Sequence, residues 1–286
     1  MRFHTPSQRV FVRQSWLNDL LLCPQRARFG VAIPQMRSGS DATIMGTALH
    51  HAIEMALVAG GDMHLEDMIV AANDKFHYLQ LNESWKETNI DPDKYEVYIA
   101  SMCEAWHGEI RPHVEMGGEI EKAFAFPLGM QIYDWDVWCE GTMDYITPSG
   151  QIWDWKTASR AYNARDKQAK AIQPTVYAAG AVITGLCQDF PVDFSYGIML
   201  RNEKPKAQIV DVRRDVSHFE WLKHIVKPAV QYSLNVGFNQ DWIMNDDNNL
   251  CSEKWCSFWS VCKGAFHTQA DLMAVDKANT PTVESN

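Results

Sequence analysis

Hydrophobic and polar positions follow two different periods along the chain. Before about residue 115, apolar residues recur with the spacing of amphipathic helices, as where Leu49, Ile53 and Leu57 form one stripe. From Glu119 to Trp155, Val, Ile, Tyr, Phe and Trp alternate with polar residues around turn signals, which is typical of antiparallel strands. Helical spacing then returns. This order predicts an α/β or α+β fold with a mixed central sheet.

The boundaries of the predicted elements follow from proline, glycine and capping residues. A short helix within Val12–Phe29 is expected to begin at a Ser15 cap and to end near Cys23-Pro24. The next helix begins in the run MGTALHHAIEMALVAGG and closes at Gly60-Gly61. The remaining predictions are helices over His64–Gln80, Lys94–His113, Arg165–Ile183 and Asp215–Val236, three or four strands within Glu119–Trp155, and strands near Phe194–Leu200 and Ala207–Val212.

Length and composition are those of a folded globular protein. The chain has 286 residues, 46% of them hydrophobic, which is enough to bury a substantial core. We expect one domain over residues 1–266, with a helical insertion at about 60–115, and a loosely ordered polar tail at 267–286. No apolar run approaches the roughly 20 residues of a membrane-spanning helix. Because the first residues also lack a signal-peptide core, a cytoplasmic location is the default expectation.

The formal net charge of −10 argues against a surface that binds nucleic acid all over. The local balance is different, since five basic residues lie within Lys156–Lys170 and five more within Arg201–Arg214. Such segments can steer a phosphate backbone to one face, although a charge run is more often a solvated surface.

The stretch Glu140–Lys156 predicts a β-hairpin, with its turn at Pro148–Gly150. On a strand alternate side chains share a face, so Asp154 and Lys156 project together while Trp155 points the other way. If the register brings Asp144 alongside, two carboxylates and an ammonium converge, as a hard divalent cation and a phosphodiester would require. The alternative is a surface strand with a weak ion pair.

Two further candidates lie on predicted helices. Gln173 and Tyr177 are four residues apart, so both can face the same cleft from the helix that follows the hairpin. His50 lies beside His51, so one of the two faces inward, and a neutral imidazole is a competent ligand for a divalent metal. The alternatives are a surface glutamine, a half-buried tyrosine and an ordinary helical histidine.

Four motifs together resemble a known family. These are GTALHHAIE (Gly46–Glu54), GTMDYI (Gly141–Ile146), WDWKT (Trp153–Thr157) and QPTVY (Gln173–Tyr177). Their order and approximate spacing are similar to the RecB-like branch of the PD-(D/E)XK nuclease superfamily, which includes recombination nuclease domains, CRISPR-adaptation exonucleases and phage exonucleases. The resemblance runs from about Ser15 to Cys262 and implies a restriction-endonuclease-like core.

The resemblance also implies roles for individual residues. His50, Asp144 and Asp154, with the main-chain carbonyl of Trp155, would hold Mg²⁺ or Mn²⁺. Lys156 would orient or deprotonate the attacking water and neutralise charge on the phosphate. Gln173 and Tyr177 would belong to a motif associated with DNA contact. Asp154 stands where the family more often has glutamate, which would bring the metal closer to the strand.

The seven cysteines suggest a second site. An odd number without a secretion signal argues against a disulfide framework. Cys251, Cys256 and Cys262 form a C-x4-C-x5-C array, and four thiolates, with Cys23 as the fourth, can hold an iron–sulfur cluster or zinc. The remaining alternative is free thiols. Cys103, Cys139 and Cys187 are expected to be buried small hydrophobic residues.

Cluster-bearing members of the family place one cysteine before the nuclease core and three after it, and this chain is similar. Its C-x4-C spacing departs from their usual C-x2-C. The resemblance favours a four-iron four-sulfur cluster over zinc, with a structural role. It would clasp the first helix to the C-terminal segment.

The sequence as a whole therefore predicts a metal-dependent DNA exonuclease that acts on single strands or duplex ends in recombination, replication, repair or CRISPR-type adaptation. The alternative is a catalytically silent DNA-binding subunit, or one that binds a helicase, recombinase or integrase partner. Homo-oligomerisation is possible, and a phage-encoded protein would work in the host cytoplasm.

Overall fold

The fold is organised around a seven-stranded mixed sheet, seen in a computed structural model that describes residues 1–265. The strand order is β1-β2-β6-β7-β8-β9, with β5 paired to β6. The strands are β1 (Arg2–His4), β2 (Arg9–Val12), β5 (Glu119–Ile132), β6 (Trp135–Ile146), β7 (Ile152–Ala158), β8 (Val192–Leu200) and β9 (Ala207–Arg214), and a separate small pair is formed by β3 (Gly39–Ser40) and β4 (Trp85–Lys86).

Helices cover both faces of the sheet. They are α1 (Gln14–Leu22), α2 (Pro24–Ala32), α3 (Asp41–Val58), α4 (Leu65–Asn82), α5 (Tyr95–Ala105), α6 (Ala164–Lys170), α7 (Ile172–Ile183) and α8 (Val216–Val236). One hydrophobic cluster joins the sheet to α1, α7 and α8, and a second joins it to α3, α4 and α5. The predicted architecture, a mixed sheet flanked by helices, is confirmed.

Strand β6 is the centre of the sheet because it pairs along both of its edges. One edge is taken up by β5, antiparallel, along most of its length. The other edge pairs with β2, parallel, up to Cys139, and with β7, antiparallel, only at Tyr145 and Ile146. Strand β7 continues instead alongside β8, in parallel register from Ile152 to Ala158. Beyond the two pairs that join them, β6 and β7 therefore separate.

The structure corrects several predicted boundaries. Helix α1 has Arg13 in its N-cap position, so Ser15 lies inside the first turn and is not the cap. A second helix starts directly at Pro24, because proline is well tolerated in a first helical turn. The predicted Arg165–Ile183 helix is two helices, interrupted where Ala171 adopts an extended conformation. Strands β1 and β2 were not predicted.

Residues 60–115 contain helices α4 and α5, with the short strand β4 between them. Helix α5 continues through a π-helical turn at Trp106–Ile110, where Trp106 is fully buried. Within residues 1–265, no helix combines the length and apolar composition needed to cross a bilayer. The predicted tail at 267–286 lies outside the described residues.

Candidate active site

The site forms where β6 and β7 separate. Asp144 and Asp154 face each other one position beyond the last paired residues, Tyr145 and Trp153. The backbone N–H of Trp155 donates to Asp144 Oδ2 at 2.8 Å instead of to a β6 carbonyl. An acidic side chain therefore replaces the backbone ladder at the point where the hairpin opens, and both carboxylates lie at the fork.

Lys156 supplies positive charge beside the two carboxylates. Its ammonium forms an ion pair with Asp154 Oδ2, as strand alternation predicted. Burial alone would lower the pKa of Lys156, but the charges of Asp154 and Asp144 outweigh burial and raise it. Burial raises the pKa of Asp144 well above its usual range, and the neighbouring Asp154 charge raises it further. The two carboxylates and the ammonium therefore act strongly on one another in a site that is largely shielded from solvent.

The ring of Trp155 lies on the opposite face of β7, against the second hydrophobic cluster. It stacks on Trp153 with ring centroids 5.5 Å apart and meets Trp106 edge-on at 6.0 Å. This packing fixes the strand, so the carbonyl of Trp155 points from a rigid backbone into the site. The predicted alternation of Asp154, Trp155 and Lys156 is confirmed.

Helix α3 brings His50 to the same backbone. His50 Nε2 lies 2.7 Å from the Trp155 carbonyl oxygen, and its Nδ1 lies 3.5 Å from Asp144 Oδ2. Burial, and next the charge of Lys156, lower the pKa of His50, which favours the neutral imidazole. Of the two adjacent histidines, it is His50 that contacts the carbonyl and Asp144.

Gly46, one helical turn before His50, explains how α3 comes so close. A Cβ atom at Gly46 would lie 3.1 Å from Thr157 Oγ1 on β7, tighter than an ordinary van der Waals contact. The absence of a side chain at Gly46 therefore lets the helix approach the strand two residues beyond Trp155. The glycine and the histidine of the GTALHH motif work together for this geometric reason.

Helix α7 contributes Gln173 and Tyr177 from the other side. Gln173 Nε2 donates to Asp154 Oδ1 at 2.6 Å and so fixes the carboxylate. Tyr177 is 6% exposed, and its ring packs edge-on against Phe124 at 5.4 Å. Burial, and next the Asp154 charge, raise the pKa of Tyr177, so its hydroxyl stays protonated. The structure therefore brings Gln173 directly to the acidic pair and places most of Tyr177 in the core.

The donors around Trp155 fit a hard divalent cation in kind. They comprise two carboxylates, one carbonyl and one neutral imidazole, which are ligand types that Mg²⁺ and Mn²⁺ accept. Asp154 is 1% exposed, and its Oδ2 atom makes no hydrogen bond of good geometry despite the ion pair with Lys156. Within residues 1–265, however, no three His, Cys, Asp or Glu side chains are arranged as a ready metal cage. In this arrangement two of the candidate donors, the Trp155 carbonyl oxygen and His50 Nε2, contact each other.

The cleft above these donors contains two residues that sequence reasoning did not assign. Arg201, at the end of β8, lines the cleft beside His50, Lys156 and Thr157. Glu121 also lines it, from a β5 position opposite Asp144, with a left-handed backbone φ of 48°. The sequence marks Arg201 only as part of a basic segment, whereas no local signal distinguishes Glu121.

The four cysteines of the predicted clasp line a single cavity of about 230 Å³. Cys23 comes from the junction of α1 and α2, and the other three come from the C-terminal segment. None of the seven cysteines takes part in a disulfide within the described residues. Burial raises the pKa values of Cys251 and Cys262, and the neighbouring cysteines raise them further, so the four sulfurs act on one another. The predicted gathering of these residues is therefore present.

The shape of this cavity bears on what it could hold. A zinc ion draws its sulfur ligands to about 2.3 Å, and among residues 1–265 no three potential ligands are already arranged around a metal position. A four-iron cluster keeps its cysteines further apart, because irons and sulfides lie between them. Four thiols around one cavity are a donor set that an iron–sulfur cluster or a zinc ion can use.

The three remaining cysteines are not all alike. Cys103 and Cys139 are fully buried, as predicted, and burial raises the pKa of Cys103 to about 12. Cys187 is only partly buried, and its Sγ lies 3.3 Å from the carbonyl oxygen of Gly150. The prediction for Cys187 was wrong because the residue lies beyond α7, beside the hairpin turn.

Comparisons with known proteins identify a family and a similar fold. A family model described as the PD-(D/E)XK nuclease superfamily matches residues 14–263. A crystal structure of a protein from Eubacterium rectale, provisionally named an exonuclease, is similar with a TM-score of 0.56 at 10% identity, over 88% of this chain and 92% of the other. A structure named SSO0001 covers 89% of this chain and 86% of its own at 10% identity, but its TM-score of 0.39 carries no argument. A search of curated proteins found no match.

Proposed function

Because the chain belongs to the PD-(D/E)XK nuclease superfamily, we propose that it is a metal-dependent DNA exonuclease acting on single strands or duplex ends. One observation carries this proposal. Asp144, Asp154, Lys156 and His50 converge around the backbone of Trp155 at the floor of an open cleft. The provisional name of the structurally similar Eubacterium rectale protein supports the choice of exonuclease.

PD-(D/E)XK nucleases generally use divalent metals such as Mg²⁺ or Mn²⁺. In this chain His50, Asp144, Asp154 and the Trp155 carbonyl would hold the cation. When bound, the cation supplies positive charge that stabilises the transition state and lowers the pKa of water. Gln173 would keep Asp154 oriented for this purpose, as a residue behind a metal ligand does.

Lys156 would bind the phosphate of the substrate as well as pair with the buried carboxylates. In the structure its ammonium neutralises buried carboxylates, and its raised pKa keeps it protonated at neutral pH. Once a cation shares the carboxylates, the ammonium can donate to a phosphate oxygen and to the attacking water. Hydrolysis then forms a bond from the water oxygen to phosphorus and breaks the bond to the 3′ oxygen. The attacking water gives up one proton to solvent and the 3′ oxygen takes one up, leaving a 3′-hydroxyl and a 5′-phosphate.

The proposal is tested with linear and covalently closed circular single-stranded DNA of the same sequence. With Mg²⁺ or Mn²⁺ the linear strand should shorten progressively from an end while the circle persists, and EDTA should stop the reaction. Equal cleavage of both substrates would show an endonuclease. Intact linear DNA under all conditions would instead support the catalytically silent DNA-binding or partner-binding subunit.

For the cysteine cavity we propose a four-iron four-sulfur cluster held by Cys23, Cys251, Cys256 and Cys262. Its role would be structural, since phosphodiester hydrolysis is redox-neutral. Protein purified without oxygen should be brown and should contain about four irons per chain. A colourless protein that contains one zinc would contradict the cluster without touching the proposed nuclease site.

A cytoplasmic location, a helicase, recombinase or integrase partner and homo-oligomerisation stay predictions from the sequence. Gel filtration of the purified protein tests the last of these.

A further inference from the structure

Arg201 has a position in the cleft that the proposed chemistry does not use. Its backbone N–H donates to the carbonyl of Ala158 at 2.9 Å, which fixes it where the parallel strands β7 and β8 end together. Its side chain lines the same cleft as Lys156, Thr157 and His50. A rigid strand end therefore holds a guanidinium group beside the candidate active site.

Within residues 1–265 this guanidinium has neither a hydrogen-bond acceptor nor an ion-pair partner, although the side chain is partly buried. Burial lowers the pKa of Arg201, and Asp41 is the carboxylate that counteracts this most. Asp41 is itself fully buried and accepts hydrogen bonds from Thr88 and Tyr95. Arg2, in contrast, forms a direct ion pair with Glu140. A partly buried cation without a partner costs stability, and a bound ligand that pairs with it would offset that cost.

The ligand class follows from the chemistry of the group. A guanidinium presents several N–H donors in a planar fork that matches the oxygens of a phosphate. On the proposed function, which this inference presupposes, a phosphodiester backbone must cross this cleft. We propose that Arg201 is a second phosphate-binding site, which holds the DNA phosphate next to the one that is cleaved.

The register of the sheet gives the separation of the two sites. Lys156 lies opposite Ile198, and Arg201 follows Ile198 by three residues. At about 3.3 Å per strand residue, the Arg201 backbone lies roughly 10 Å further along the strand direction than the Lys156 backbone. On the proposed function, this offset leaves the reacting phosphate to Lys156 and gives Arg201 a neighbouring phosphate. Arg201 is therefore a positioning residue that fixes the register of the strand.

Three variants test the site through binding of a fluorescent single-stranded oligonucleotide in EDTA. Arg201→Gln should weaken binding about tenfold, the cost of one charge-assisted hydrogen bond. It should also flatten the slope of log affinity against log salt by about 0.7, the value of one single-strand phosphate contact. Arg201→Lys should restore part of the loss. Arg213→Gln is the matched control, because Arg213 lies at the other end of the β8–β9 pair and contacts Asp193.

A second measurement separates a phosphate contact from a structural role. Uncharged methylphosphonate linkages are placed at one position of the oligonucleotide at a time. In the unsubstituted protein, a methylphosphonate at one position should weaken binding about as much as Arg201→Gln does. In the Arg201→Gln variant, the same methylphosphonate should cause no further loss of binding affinity. Thermal unfolding of Arg201→Gln should be unchanged or should occur at a higher temperature, because the variant removes an uncompensated charge.

The outcomes discriminate between the two proposals. Equal methylphosphonate penalties in the unsubstituted protein and in Arg201→Gln would overturn the second phosphate site alone. Equal weakening of binding by Arg201→Gln and Arg213→Gln would also overturn that site alone. An unsubstituted protein that neither binds nor cleaves DNA would overturn the proposed function, and this site with it.

Discussion

At the scale of single residues, Asp154 is a buried carboxylate held by two neighbouring side chains. One of its oxygens accepts a hydrogen bond from Gln173, and the other faces Lys156. Because the residue is 1% exposed, water cannot replace a lost partner. The geometry of this carboxylate is therefore set by Gln173 from α7 and Lys156 from β7. Changing either side chain should alter the properties of Asp154.

Gln173→Ala should lower both the Mn²⁺ affinity and the cleavage rate by about 10- to 100-fold, the usual cost of losing a group that orients a metal ligand. Calorimetric titration with Mn²⁺ and a cleavage assay measure the two effects. Gln168→Ala is the control, since Gln168 lies on α6 and bonds only to the backbone of Arg213. Equal Mn²⁺ affinity in the Gln173 variant and the unsubstituted protein would show that Asp154 does not depend on this hydrogen bond.

At the scale of elements, the close contact between α3 and β7 decides whether His50 reaches the Trp155 carbonyl. Gly46 faces Thr157 at this contact, and any larger residue must push the helix or the threonine aside. The helix is otherwise held by its buried stripe and by a Ser40 cap on Thr43. A change at Gly46 should therefore act on the site more than on folding.

Gly46→Ala should reduce cleavage severalfold while the far-ultraviolet circular dichroism spectrum stays unchanged, because the added Cβ would lie 3.1 Å from Thr157 Oγ1. Thr157→Ala removes that oxygen, so the double variant Gly46→Ala/Thr157→Ala should recover most of the lost activity. If the double variant lost as much activity as the two single variants combined, the steric explanation would be contradicted.

Local patterns predicted most of these elements and tertiary contacts set the rest. The β6–β7 hairpin follows from alternation and a Pro-Ser-Gly turn, both local features. Strands β1 and β2 are only three and four residues long, and β2 exists because it pairs with β6, far away in the sequence. The break at Ala171 is similarly nonlocal, since buried Arg214 donates to the carbonyls of Lys167 and Ala171.

In the candidate site, too, local sequence patterns predict some features and tertiary contacts determine others. The motif order predicted the superfamily, which is confirmed, and the residues it marked do lie together. Their roles stay predictions. Sequence reasoning did not assign Arg201, because nothing local shows that the end of β8 adjoins Lys156. The partly buried position of Cys187 was also missed, since burial depends on which elements pack over it.

At the scale of the whole molecule, the cysteine cavity joins the two ends of the described chain. Phe258 of the C-terminal segment packs against Phe29 of α2, with ring centroids 5.6 Å apart. Ser257 exchanges hydrogen bonds with Ser38, just before β3 and α3. The clasp therefore contacts the chain just before the N-terminus of α3, the helix that carries His50.

Cys23→Ser should abolish the visible absorption of the proposed cluster and lower the unfolding temperature by several degrees, because the clasp loses one of its four ligands. Cys187→Ser, at another partly buried thiol, is the control and should change neither. Mn²⁺ affinity of the folded Cys23 variant should stay close to that of the unsubstituted protein. An unchanged visible spectrum in the Cys23 variant would contradict the assigned ligand set.

On the proposed function, the acidic fork between β6 and β7 cleaves DNA with a bound divalent cation. The most direct measurement is the rate at which Asp154→Asn shortens a labelled linear oligonucleotide in Mn²⁺, compared with the unsubstituted protein and with Asp193→Asn, an exposed control on β8. The Asp154 variant should fall at least about 100-fold in rate, as for the loss of one key electrostatic group, while Asp193→Asn keeps full activity. Retained cleavage by the Asp154 variant would contradict the account.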